Sequence, residues 1–354
     1  MKLISEGFQF ILNTSLFKNS EFDSETEINL PGGKTPILLF TPSKKEKGLI
    51  ISFTGFSMSG YKDRRIAIVN NAFCKMGYRV ITPKIDTIDA LMIHPKAIDE
   101  VKELIQVVIN DPILNPNKYL PAVFAPSFTA GITALAVAEM PANSVSSMCL
   151  LGGFCDFETT IQFALTNEEN MDDYGMHVLM KNFLKYEIGE NPEIENLVQT
   201  ALEDNGLKRT IPLLPEQKAK SKPENVELYQ KLVNETAFRK DVIMRAWTKI
   251  PDFSNWKNRL DLAIYAHKIT CPVAIIHGKN DNVIPSSQSI QLHSIIKNNN
   301  KNVHLELSNL LDHGDLKISH KILVEITNLA KAFNFFTKHC AKLKDSGTKN
   351  ESKA

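Results

Sequence analysis

Ser127 stands in Ala125-Pro126-Ser127-Phe128-Thr129. An apolar run, Ala122-Val123-Phe124-Ala125, precedes it, and a stretch of small residues follows (Ala130, Gly131, Ala134, Ala136, Ala138). The run reads as a strand and residues 129–140 as a helix. A serine on a sharp strand-to-helix turn presents its hydroxyl on a strained backbone, and small neighbours let the bend pack. The N–H of Phe128 would then face the oxygen of a bound acyl group from the positive end of a helix. The plainer role for Ser127 is N-cap of that helix. Local sequence leaves both open.

Three other places hold residues that fit acyl chemistry. Thr54-Gly55-Phe56 follows the run Leu49–Phe53, where a tight turn can aim the Phe56 N–H into a site. Gly278-Lys279-Asn280-Asp281 follows Pro272–Ile276, and an aspartate there can fix the tautomer of a histidine. Asp281 fits an ordinary Asx turn equally well. Asp312-His313-Gly314-Asp315 follows Val303–Leu307 and offers a general base. With nine histidines in the chain, His313 alone says little. Asp156, after the run Val145–Leu151, is a second candidate acid.

These residues need a scaffold. Residues 24–30 and 35–41 read as strands joined by Pro31-Gly32-Gly33-Lys34. The continuous apolar run at 49–53 reads as a strand buried on both faces, and 78–82, 122–125, 145–151, 272–276 and 303–307 read as further strands. Helical spacings fall between them, at Ile66–Met76 (with Gly77 to end it), Ile98–Val108 and 286–297, and a last helix carries Ile322 to Phe336. The alternation predicts an α/β fold, a mostly parallel central sheet with helices on both faces. Residues 157–258 break the rhythm. They lack strand-like runs, show helical patterns around Leu179–Tyr186 and Val226–Leu232, and contain a Pro- and Lys-rich connector at 211–223. The expected division is a core of 1–156 and 259–340, a helical cap at 157–258, and a disordered polar tail at 341–354.

Nucleophile, acid and base thus occur in the order Ser127, Asp281, His313, each beyond a predicted strand. In this order and spacing the chain resembles the α/β-hydrolase family over nearly all of residues 24–340. The resemblance implies an acyl-enzyme on Ser127, a triad with Asp281 and His313, an oxyanion hole from the N–H groups of Phe56 and Phe128, and a cap after the sixth strand. Two motifs depart from the family pattern. The elbow reads A-P-S-F-T in place of G-x-S-x-G, and a shifted register would put Thr129 at its apex. Thr54 stands where relatives carry histidine before the glycine; backbone donors tolerate that change.

The implied activity is hydrolysis of a carboxylic ester or thioester. An acyltransferase with the same triad, and a catalytically inactive binding protein on a hydrolase fold, are the alternatives. The partner expected is a small acyl ester. Phe163, Leu165, Leu179, Phe183 and Leu184 either line an acyl pocket or pack the cap, and Lys62, Arg64 and Arg65 either attract an anionic group or are surface charge. No metal or organic cofactor is expected, since the five scattered cysteines hold no C-x-x-C and no phosphate-binding glycine loop occurs. A net charge of +1 argues against nucleic acid. The stretch Phe8–Leu12 makes a poor signal-peptide core, and no apolar run is long enough to span a bilayer, so the expected location is cytoplasmic.

Overall fold

Eight strands form one sheet in the order β1-β2-β4-β3-β5-β6-β7-β8 in a computed structural model that describes residues 5–16, 20–166, 172–311 and 320–340. The strands are β1 (Ser24–Leu30), β2 (Gly33–Phe40), β3 (Gly48–Ser52), β4 (Tyr78–Pro83), β5 (Ala122–Pro126), β6 (Met148–Leu151), β7 (Val273–Gly278) and β8 (Val303–Ser308). β1 and β2 pair antiparallel as a hairpin, β2 pairs antiparallel with β4, and every other pairing is parallel. Parallel neighbours require crossovers, and helices supply them.

Alternate residues of the central strands feed two cores. In β5, Val123 and Ala125 join a cluster with the helices Lys96–Asn110 and Phe128–Glu139, while Ala122 and Phe124 face the opposite cluster. β7 divides the same way, Val273 and Ile275 against Ala274 and Ile276. The second core is closed by the helices Arg64–Lys75, Glu6–Leu16 and His320–Lys338. There Phe10 packs between Phe73 and Phe333, with ring centroids 4.6 and 4.0 Å away. The stretch read as a failed signal core is therefore a packed helix.

Between β6 and β7 the described residues hold only helices, from Phe157–Thr166 to Leu262–Tyr265. Their apolar faces continue the first core without a break. The expected connector at 211–223 contains a helix, Leu214–Lys220, with proline in its first turn, where a missing N–H costs nothing. β6 is shorter than the run Val145–Leu151: residues 144–146 bend before the strand begins at Met148. The tail at 341–354 lies outside the described residues. Among those described, no helix is long and apolar enough to cross a membrane, and no disulfide joins the cysteines.

Candidate active site

Ser127 adopts φ 57°, ψ −142°, a backbone region that residues with a side chain rarely occupy. The turn is forced by what lies on either side. β5 ends with Ser127 N–H donating to the Leu151 carbonyl at 2.7 Å, and the helix begins at once at Phe128. Small residues then let that helix lie close: a Cβ at Gly131 would stand 2.3 Å from the Phe154 ring. The Ser127 side chain makes no capping hydrogen bond, so the N-cap role is left unfilled. Thr129, the apex of the shifted register, is fully buried with its hydroxyl unpartnered.

The turn after β3 closes on Ser127. A Cβ at Gly55 would lie 3.3 Å from Ser127 Cβ, so glycine is what permits the approach. The next residue, Phe56, stacks its ring on Phe128 at 4.9 Å and 27°, and Phe128 stacks in turn on Phe154 at 4.8 Å. As the first helical residue, Phe128 has an N–H without a partner in its own helix. Phe56 N–H donates to no described residue.

Asp281 opens onto the same cleft, two strands along the sheet edge. Its Oδ1 accepts from Val283 N–H at 2.9 Å and Ile284 N–H at 3.0 Å, an Asx turn, while Oδ2 lies 3.6 Å from His277 Nε2. Burial alone would raise this carboxyl. The His277 imidazole, with Nε2 3.6 Å away, and then the two backbone N–H groups outweigh burial and hold it below the usual aspartate range. His277 is itself fully buried: Nδ1 meets Ser289 Oγ at 2.6 Å and Nε2 meets the Ile284 carbonyl at 2.8 Å. A carbonyl only accepts, so Nε2 carries the proton, and the ring pins the loop that presents Asp281. Gly152 ends β6, and even a Cβ there would stand 3.6 Å from Asp281 Oδ2.

Asp156 is not brought to this place. It is absent from the cleft wall, and its carboxylate accepts from Thr159 N–H at 2.8 Å in the first turn of the helix Phe157–Thr166. His313 lies outside the described residues; Leu311, two positions before it, lines the cleft.

The cleft measures about 2020 Å³. Phe56, Phe128 and Leu151 wall it near Ser127, and the helical insertion contributes Ile161, Val178 and Leu179. Of the other apolar residues considered for a pocket, Leu165, Phe183 and Leu184 are buried in the core and Phe163 is absent from the wall. Arg64 and Arg65 line the cleft, whereas Lys62 does not and instead pairs with Glu25 at 2.7 Å. Tyr174, Asn205 and Lys208 also reach the wall. Their sequence gave no sign of it, because all three come from the insertion, where nothing in a helical period tells which face meets the sheet. Among the described residues no cluster of His, Cys, Asp and Glu suits a metal ion.

No protein-family model matches the sequence, and no curated protein matches it. Solved structures do match. A puromycin-hydrolyzing peptidase of Mycobacterium tuberculosis shares 13% identity at a TM-score of 0.51, over 92% of this chain and 40% of that one. A 2,6-dihydroxy-pseudo-oxynicotine hydrolase shares 12% at 0.50, over 92% and 72%. Acylaminoacyl peptidase of Pyrococcus horikoshii shares 12% at 0.48, over 95% and 45%, so this chain spans less than half the length of either peptidase. Likeness at such identity is likeness of fold. With the observed strand order, it gives the chain the α/β-hydrolase fold.

Proposed function

We propose that the chain is a serine hydrolase that cleaves a carboxylic ester or thioester through an acyl-enzyme on Ser127. The observation that carries this reading is the backbone of Ser127, strained at φ 57° with its hydroxyl making no capping hydrogen bond, at a large cleft that also holds Asp281. The neighbouring folds belong to hydrolases, which is consistent with it.

In this reading His313 takes the Ser127 proton as the serine oxygen attacks the acyl carbonyl. Leu311 lines the cleft, and two further residues of chain reach at most roughly 7 Å. The carbonyl oxygen gains negative charge, which the N–H groups of Phe56 and Phe128 receive; each such donor typically contributes about 10²–10³ in turnover. Asp281 Oδ2 accepts from the histidine and stabilises its charged form. The imidazolium gives its proton to the departing alcohol or thiol. Water, deprotonated by the same histidine, then attacks the acyl-enzyme, and the proton returns to Ser127 as the acid leaves. The helical insertion acts as a cap that walls the acyl portion.

A fluorophosphonate probe tests this directly. Wild type is expected to label, and Ser127→Ala and His313→Ala are expected not to, with circular dichroism showing all three folded. Folded wild type that stays unlabelled would sink the proposal.

A further inference from the structure

The helix Asp173–Ile188 of the insertion crosses the cleft and is tied to both of its banks. Near its start a Cβ at Gly175 would stand 3.4 Å from Val283 Cγ1, in the loop after β7 that carries Asp281. Two turns on, Asn182 Oδ1 accepts from Ile93 N–H at 2.7 Å, and Asn182 Nδ2 donates to the Leu91 carbonyl at 2.8 Å. Leu91 and Ile93 belong to the connection after β4. In the sheet, β3, β5 and β6 stand between β4 and β7, so the helix passes over the strand ends that include Ser127. A third tie comes through the neighbouring helix Pro192–Gly206. A Cβ at Gly206 would lie 2.9 Å from the Tyr174 ring and 2.5 Å from Met58 Cγ, in the loop after β3.

A lid needs a seam along which it can part, and this helix offers none. Between its ties, Val178 and Leu179 line the cleft and belong to the same packed cluster as Phe128. Met176, Met180 and Phe183 are buried in that cluster too. Lifting the helix would take from Ile93 N–H its partner and return apolar surface to water. The space beneath it is nevertheless continuous. The cleft wall draws Ile161 and Ala164 from the side of the first core, and Ile66, Val69 and Leu310 from the second, on the opposite face of the sheet.

Resting on the hydrolase reading above, we propose that this helix is a fixed roof and not a lid, and that the substrates are small esters taken singly from solution. The acyl and alcohol arms of an ester diverge from its carbonyl carbon. Under the roof, one arm lies toward each face of the sheet. An ester embedded in a droplet, a bilayer or a polymer cannot bring its carbonyl to Ser127, because the roof stands between that surface and the serine. Selection is then by access: the three ties decide which esters arrive, and the residues at the strand ends decide what happens to them.

Hydrogen exchange in the wild type tests the roof without any turnover. The Ile93 amide reports the seam, since its partner lies across it. It is expected to exchange as slowly as the amides of β5, and exchange at the rate of an open loop overturns the proposal. A bolt gives the second test. A Cβ at Gly206 would lie 3.2 Å from Met58 Cβ, near the spacing of a disulfide, so Met58→Cys with Gly206→Cys can fasten the insertion down. The oxidised and reduced forms of this variant should hydrolyse dissolved 4-nitrophenyl butanoate within about 2-fold of each other. Activity lost on oxidation and regained with dithiothreitol overturns the proposal. Third, 4-nitrophenyl octanoate is carried past its solubility limit while acid release is followed. The rate should track dissolved ester and stay level once droplets form; a further climb as they form overturns it. A protected Ile93 amide with neither ester cleaved would remove the hydrolase reading and leave the fixed helix. Cleavage that the disulfide stops, or that climbs with droplets, would remove this inference alone.

Discussion

Two aspartates with opposite environments make separable predictions at the scale of single residues. Asp281 is held below the usual carboxyl range, because its hydrogen bonds outweigh burial. It therefore stays ionised through neutral pH, and its stabilising contribution is lost only as pH falls through its lowered value. Loss of activity above about pH 5 must then come from another group, with histidine the natural one. Asp281→Asn is expected to cut kcat by about 10³–10⁴ with little change in KM, since the imidazole would be held in the wrong tautomer. Steady-state kinetics on any cleaved ester checks this. Asp89 behaves in reverse: burial pushes it up to about 6, despite the hydrogen bond from Tyr61 N–H at 3.1 Å. The folded form keeps a proton that the unfolded chain has lost. That stability is full below about pH 4 and is lost as pH rises through 6. Asp89→Asn should raise the midpoint of thermal unfolding at pH 7–8 and leave it unchanged at pH 4. The gain expected is about 1–2 kcal/mol, less than the full shift implies because solvent reaches part of the group. A denaturation series across pH decides it.

Elements differ in how openly the sequence announces them. The central strands were legible because burial on both faces makes them continuous apolar runs, as in Leu49-Ile50-Ile51. The helix Glu6–Leu16 was not, since its identity depends on Phe73 and Phe333, which lie far along the chain. Within the insertion, Pro215 and the lysines around it suggested a connector, yet proline sits where a helix tolerates it. The site followed the same division. Ser127 and Asp281 stand at strand ends and were proposed from them; Tyr174 and Lys208 reach the cleft, and His277 pins the Asp281 loop, through contacts no local pattern encodes. Two elements offer tests. A methyl group at Gly131 would meet the Phe154 ring at 2.3 Å, and Phe154 supports Phe128 behind Ser127. Gly131→Ala is expected to cost about 1–3 kcal/mol in urea unfolding and to slow fluorophosphonate labelling. Arg239 is fully buried, and its guanidinium donates to the carbonyls of Leu165, Leu232 and Val233, tying the ends of two helices of the insertion to a third. Arg239→Met strands those acceptors, with an expected loss of about 2–4 kcal/mol. Limited proteolysis should then cut first inside 157–260.

At the scale of the molecule, the layer over one face of the sheet joins distant parts of the chain. Phe10 rests on Phe333, and Tyr78 donates to Glu6 while it also meets the Thr337 carbonyl. Contacts of that separation form late. The helix Glu6–Leu16 meets Phe73 on one side, but its other side stays uncovered until the helix His320–Lys338 has arrived. Hydrogen exchange during refolding should protect β3 and β5 before residues 6–16; simultaneous protection would show the layer forming as one unit.

The strained turn also bears on descent. A serine at φ 57°, ψ −142° costs about 1–3 kcal/mol that glycine would not incur. Ser127→Gly should therefore unfold at higher denaturant than wild type while losing all labelling. A lineage released from acyl chemistry would have a one-step mutation that made the protein sturdier and nothing to oppose its fixation.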